Sequence, residues 1–229
     1  MKLSTYLLPL LLASALASPA WSQSKSPAAQ TAATADAEGL VKVKVRGLQT
    51  VYAVPGAKLA GYDKVMLDPI EVSFAKSWQP QTGGQRISAA DKQEIREGLE
   101  RVLREAFTKE LTKSQRYTVV NAPGDDVLRI KAEIRDLYIN APDVPSATIT
   151  HSYTLSAGEM TLVAELRDSA TGALIARVID RKKDPEKTWL ELTTRVDNVA
   201  AAQQAAAGWA RTLRERLDSA HGIGDAAAK

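Results

Sequence analysis

Hydrophobic and polar residues alternate from Val41 to Arg46, with Val41, Val43 and Val45 interleaved with Lys42, Lys44 and Arg46. A period of two sends alternate side chains to opposite faces, so the segment predicts a half-buried strand whose basic outer face suits a sheet edge. Thr50 to Val54 predicts a second strand, closed by the turn dipeptide Pro55-Gly56. Between Tyr62 and Phe74 the apolar parity changes: Val65 and Leu67 share one face, whereas Ile70, Val72 and Phe74 share the other. A bulge or edge position at Asp68-Pro69 accounts for the change and for a proline, which cannot donate to a strand ladder.

Ser88 and Asp91 make a capping-box-like start, after which Ile95, Leu99, Val102, Leu103, Ala106 and Leu111 recur at spacings of three and four. This predicts an amphipathic helix, with Glu97–Arg101, Glu100–Arg104 and Glu105–Lys109 on its solvated face. After a short strand from Tyr117 to Val120, Leu128, Ile130, Ala132 and Ile134 alternate with Arg129, Lys131, Glu133 and Arg135. One dry and one wet face is the pattern of an antiparallel sheet. Met160, Leu162, Ala164 and Leu166, the turn residues Asp168 to Gly172, and Leu174, Ala176 and Val178 predict a hairpin. A final helix is expected over Asp197 to Asp218, with Val199, Ala202, Ala206, Trp209, Leu213 and Leu217 along its apolar side. The expected fold class is α+β: an antiparallel sheet of about five to six strands with two long helices packed on one face.

Composition changes the picture mainly at the N-terminus. Lys2, the apolar run Leu7 to Ala17 and the small residues Ala20 and Ser22 have the layout of a secretory signal peptide over residues 1–22. The run is shorter than the ~20 apolar residues that span a bilayer, so no integral membrane segment is expected after cleavage. Residues 23–38, rich in Ala, Ser, Thr, Gln and Pro, read as a disordered linker, residues 39–221 as a single domain, and residues 222–229 as a flexible tail. The expected location is periplasmic or secreted. The chain has no cysteine, so neither a disulfide framework nor a lipid anchor on cysteine is expected. The formal charge of +3 falls to +2 without Lys2, since residues 1–22 contain no acid, and such a balance argues against a nucleic-acid partner.

The imidazoles are His151, in a Thr/Ser-rich stretch, and His221, expected in the fraying tail. There is no Gly-x-Ser-x-Gly elbow and no His-Glu-x-x-His, so no catalytic set, cofactor or metal is expected and the chain does not read as an enzyme. Asp63, Asp68, Asp125, Asp126, Asp136, Asp143, Asp168 and Asp180 are expected at turns or strand ends, where aspartate ordinarily caps backbone. Two rival readings remain: a hydrolase pairing carboxylates among Asp68, Asp143 and Asp168, and a binder of lipid or small apolar ligands. Arg181, Lys182 and Lys183 offer a short basic run suited to anionic lipid, and Trp78, Tyr138 and Trp189 offer rings near loops.

The motifs Pro55-Gly56, Gly61 to Pro69, Asp126 to Arg129, Tyr138 to Asp143, Ala157 to Met160, Glu165 to Ser169 and Thr171-Gly172 occur in that order. In these the chain resembles the domain-of-unknown-function 3313 family, uncharacterised proteobacterial envelope proteins of which many are predicted lipoproteins. The resemblance runs from about Thr50 to Asp218 and implies an envelope setting, with no activity attached. It departs from the lipoprotein members in lacking a cysteine to acylate. The element order also resembles periplasmic accessory domains such as that of the curli-secretion channel protein. The candidate interaction surface comprises Tyr62, Asp63, Lys64, Asp68, Pro69, Tyr138, Asn140, Pro142, Asp143, Arg167 and Asp168. The expected role is that of an exported, non-catalytic accessory or interaction protein with an envelope protein partner.

Overall fold

The alternation read from the sequence becomes strands whose apolar side chains meet on one face. A computed structural model describes residues 38–78, 81–82, 85–139, 152–154, 158–183, 191–193 and 195–223. The signal peptide and most of the linker, Asn140, Pro142, Asp143, His151 and Trp189 lie outside the described residues. In chain order the strands are β1 (Val41–Val43), β2 (Thr50–Ala53), β3 (Lys64–Leu67), β4 (Glu71–Phe74), β5 (Gln81–Thr82) and β6 (Gln85–Arg86). After helix α1 (Ala89–Thr112) come β7 (Thr118–Val120), β8 (Val127–Ile139), β9 (Ser152–Thr154), β10 (Gly158–Asp168), β11 (Leu174–Lys183) and β12 (Glu191–Thr193), then helix α2 (Arg195–Ala220).

The main sheet has eight strands in the order β1-β2-β11-β10-β8-β3-β7, with β4 also paired to β8. It is therefore larger than the five to six strands expected, and it is not all antiparallel. Neighbours from β1 to β8 run antiparallel, but β3 and β4 pair parallel with β8, and β3 pairs parallel with β7. The parallel half follows from α1, which carries the chain back across the sheet between β3 and β7, as parallel neighbours require a crossover. Short strands such as β3 and β7 carry too few residues for alternation to announce their direction.

At Asp68-Pro69 the predicted interruption is a full break: β3 ends at Leu67 and β4 begins at Glu71, both against β8. Helix α1 covers the carbonyls left there. Arg104 donates to Leu67 O and Asp68 O, each at 3.3 Å, and Arg96 Nε donates to Val72 O at 3.2 Å. Such capping blunts a strand edge that would otherwise present unpaired backbone. A further irregularity lies inside β8, where Asp136 has φ 52° and the register slips between Tyr138↔Glu159 and Arg135↔Thr161. This bulge resets the parity, so Ile134 and Leu137 both face the core. Asp136 thus lies within a strand rather than at an end. Gly158 opens β10 because a Cβ there would meet Tyr138 O at 2.2 Å.

One core cluster joins Val65, Leu128, Ile130, Ile134, Leu162 and Val178 of the sheet to Leu103, Phe107 and Leu111 of α1 and to Ala206, Trp209, Ala210 and Leu217 of α2. Both helices therefore lie against the same sheet face. The capping box at Ser88 and Asp91 forms as read. Arg104 also pairs with Glu100 at 3.1 Å, so this pair lies over the strand break and not on the solvated face, while Glu97 accepts from Gln93 at 2.9 Å. Val199, expected inward, is exposed in the early turns of α2.

Asp180 also departs from expectation. It sits inside β11 with no exposed surface, accepting from Gln49 N at 2.8 Å and Trp209 Nε1 at 2.7 Å, with Lys182 Nζ at 2.9 Å. A buried carboxylate is tolerated when its lone pairs are filled in this way.

Candidate functional site

Tyr62 and Asp63 precede β3 and Lys64 opens it, while Arg167 and Asp168 end β10. Folding brings the two groups together. The Tyr62 hydroxyl donates to Asp168 Oδ2 at 3.0 Å, and Asp168 Oδ1 accepts from Thr171 N and Thr171 Oγ1, both at 2.7 Å. Burial, then the bond to Asp168, pushes the Tyr62 phenol up to about 12. The bonds from Thr171, with a smaller one from Tyr62, hold the Asp168 carboxyl below its usual range. The pair is therefore a protonated phenol on an ionised carboxylate. A general acid needs the opposite shift, so Asp168 is suited to holding the hairpin rather than delivering a proton.

Around this pair lie residues the sequence did not mark. Arg116, after α1, reaches Asp63 at 3.1 Å and donates to His221 Nδ1 at 2.9 Å, while His221 Nε2 donates to Tyr62 O at 3.2 Å. Far from fraying, His221 is almost fully covered: Gly222 takes a left-handed φ of 73° and Ile223 N–H returns to Asp218 O at 2.9 Å, closing α2. The Tyr117 hydroxyl donates to Asp218 at 2.9 Å, and Arg214 bridges Asp218 and Glu110. Burial pushes Glu110 up, but Lys113 and Arg214 outweigh it and leave its carboxyl low. These bonds tie both helix ends to the β2–β3 connection. Lys64 pairs with Asp126 at 2.7 Å.

Asp68 and Pro69 stand apart from this pole. Asp68 receives Arg129 through Nε at 3.0 Å and Nη2 at 2.9 Å, a bidentate clasp across the strand break, and Pro69 is exposed. Asp68 and Asp168 thus answer to different partners and share no hydrogen bond among the described residues. Tyr138 is half-buried opposite Glu159. Trp78 is buried, donating to Ile139 O at 2.8 Å and stacked on Phe74 at 4.2 Å, so it offers no exposed ring. Among the described residues no group of three His, Cys, Asp or Glu is placed to hold a metal, and no helix is long and apolar enough to cross a membrane.

The sheet face away from the helices carries the alternate residues of β8, β10 and β11. Here Arg135 pairs with Glu133 at 2.7 Å and Arg167 with Glu165 at 2.9 Å. Arg177 spans Glu38 and Glu165, both at 2.7 Å, and is almost wholly covered. Burial raises Glu165, but Arg177 and Arg167 more than offset it and hold the carboxyl low. Leu40 packs beside Arg177 on Tyr52, with Val54, Leu174 and Ile179. The sequence signal for this face was the charged half of the alternation, which read only as wet.

The model of the family described as "Protein of unknown function (DUF3313)" matches residues 30–213. The chain belongs to this family. The match extends past the motifs that carried the resemblance, taking in β1 and its approach. No curated protein matches the DUF3313 chain. Among solved structures it is similar to the PelC dodecamer protein from Paraburkholderia phytofirmans, at 14% identity and TM-score 0.36, over 72% of this chain and 96% of that one. A DUF330 protein from Xanthomonas campestris gives 13% identity and TM-score 0.40 over 73% and 93%.

Proposed function

We propose that this DUF3313 chain is an exported, non-catalytic protein of the cell envelope that works by binding another envelope component through its open sheet face. One observation carries the reading. Among the described residues both helices cover the same side of the sheet, and the other side carries arginines, each backed by a carboxylate, beside the cluster of Leu40 and Tyr52. A sheet face that serves only as wet surface needs no such order, and surface ion pairs contribute little to stability, about 0–1 kcal/mol each. The signal-peptide layout of residues 1–22 supports export. The carboxylates at the Tyr62 pole are engaged as acceptors, which supports a structural role for them.

The test is fractionation of cells with mass spectrometry of the mature chain, combined with a photo-cross-linking residue at Lys131 on the open face or Arg101 on α1. The expected result is an envelope protein lacking residues 1–22 that forms an adduct from Lys131 and none from Arg101. A cytoplasmic, unprocessed chain, or equal adducts from both positions, rules the reading out.

A further inference from the structure

On the open face the positive group is the more exposed partner in four ion pairs, while Arg177, 7% exposed beneath Glu38 at 39%, is the reverse. The Arg129 side chain is 44% exposed over Asp68 at 15%, and Arg181 is 56% exposed over Glu159 at 25%. The same order holds for Arg135 over Glu133 and Arg167 over Glu165. Register adds a second observation. Arg129 lies directly opposite Arg167, and Arg135 and Arg181 flank Thr161 from either side. Like charges directly opposite on a sheet are unfavourable, and Asp68 and Glu165 offset the opposition of Arg129 and Arg167. Lys131 stands exposed among them.

We propose that this face binds the anionic phosphate headgroups of a lipid surface. The proposal rests on the envelope reading above and names the component bound. Arg129 and Arg135 are six residues apart on one strand, about 20 Å, and three strands share the patch, so the cations cover an area that one small anion cannot satisfy. A planar array of phosphates can meet them together, and each guanidinium keeps N–H donors beyond those its carboxylate uses. A protein partner fits less well. Protein interfaces turn on buried aromatic and aliphatic anchors, whereas the large apolar side chains exposed among the described residues are Val41, Val199 and Ile223. Val199 and Ile223 belong to α2 and its end, and Val41 shares the parity of Val43, which packs on the helix-side core.

Co-sedimentation of the mature chain with phosphatidylcholine vesicles, with and without phosphatidylglycerol, tests this at low and high salt. The expected result is binding that requires phosphatidylglycerol and is lost at high salt. Lys131→Gln, Arg135→Gln and Arg181→Gln should each lower the partition coefficient about fivefold, from the attraction of one basic residue to an anionic surface. Arg101→Gln, on the helix side, should leave it unchanged, and circular dichroism confirms that each variant is folded. Equal binding to uncharged vesicles, or an equal effect of Arg101→Gln, overturns the proposal. An envelope-located chain that fails to bind vesicles sinks the lipid assignment alone, whereas a cytoplasmic chain sinks the reading beneath it.

Discussion

Tyr62 shows what a single hydroxyl does at the pole of the domain. Its phenol is held up to about 12 while an unfolded tyrosine releases its proton near 10.0. The unfolded chain therefore loses the proton first, and the stability from this group is complete below pH 10 and lost as pH rises to about 12. Urea unfolding below and across that window should show a steeper loss for the wild type than for Tyr62→Phe, and parallel losses would show that the Asp168 bond contributes nothing. Asp168 behaves in the opposite sense: with its carboxyl held low, its contribution is present above the ordinary range near 3.8 and lost on acidification. The sequence showed Tyr62 and Asp168 as motif residues but not as partners, because 106 positions separate them. His221 was misplaced for a related reason. A Gly-Ile-Gly tail looks loose until Gly222 is seen to close the helix.

At the scale of elements, α2 depends on small residues where it meets α1 and the sheet. Ala206 and Ala210 have no exposed surface, and Glu110 of α1 lies beneath Arg214 of α2. Ala206→Leu should overpack this contact and lower stability by about 1–3 kcal/mol in thermal or urea unfolding. Gln203→Leu, exposed on the same helix, should stay within about 0.5 kcal/mol. Equal effects would mean that the alanines are not the close contact. Helix α1 was legible from its capping box and its spacing of three and four, since both are local. The use of Arg96 and Arg104 to cap the broken β3–β4 edge was not, because it depends on which strand edge the helix crosses.

Over the whole molecule, Asp180 gathers the β1–β2 connection through Gln49, the centre of β11, and α2 through Trp209. Removing it leaves buried donors without acceptors, so Asp180→Ala should cost about 3 kcal/mol, read as a drop in the urea midpoint at unchanged slope. A change below about 1 kcal/mol would show that water or rearrangement replaces the carboxylate. The alternation in β8, β10 and β11 and the spacing of three and four in the two helices were enough to determine an α+β protein with a hairpin, two amphipathic helices and one wet sheet face, because periodicity records burial residue by residue. The tertiary structure alone decided the parallel pairing of β3, β4 and β7, the eight-stranded width, and the placing of Arg129 opposite Arg167 on the open face. Strand direction and register depend on where the chain returns after α1 and on the slip at Asp136, and neither leaves a periodic trace.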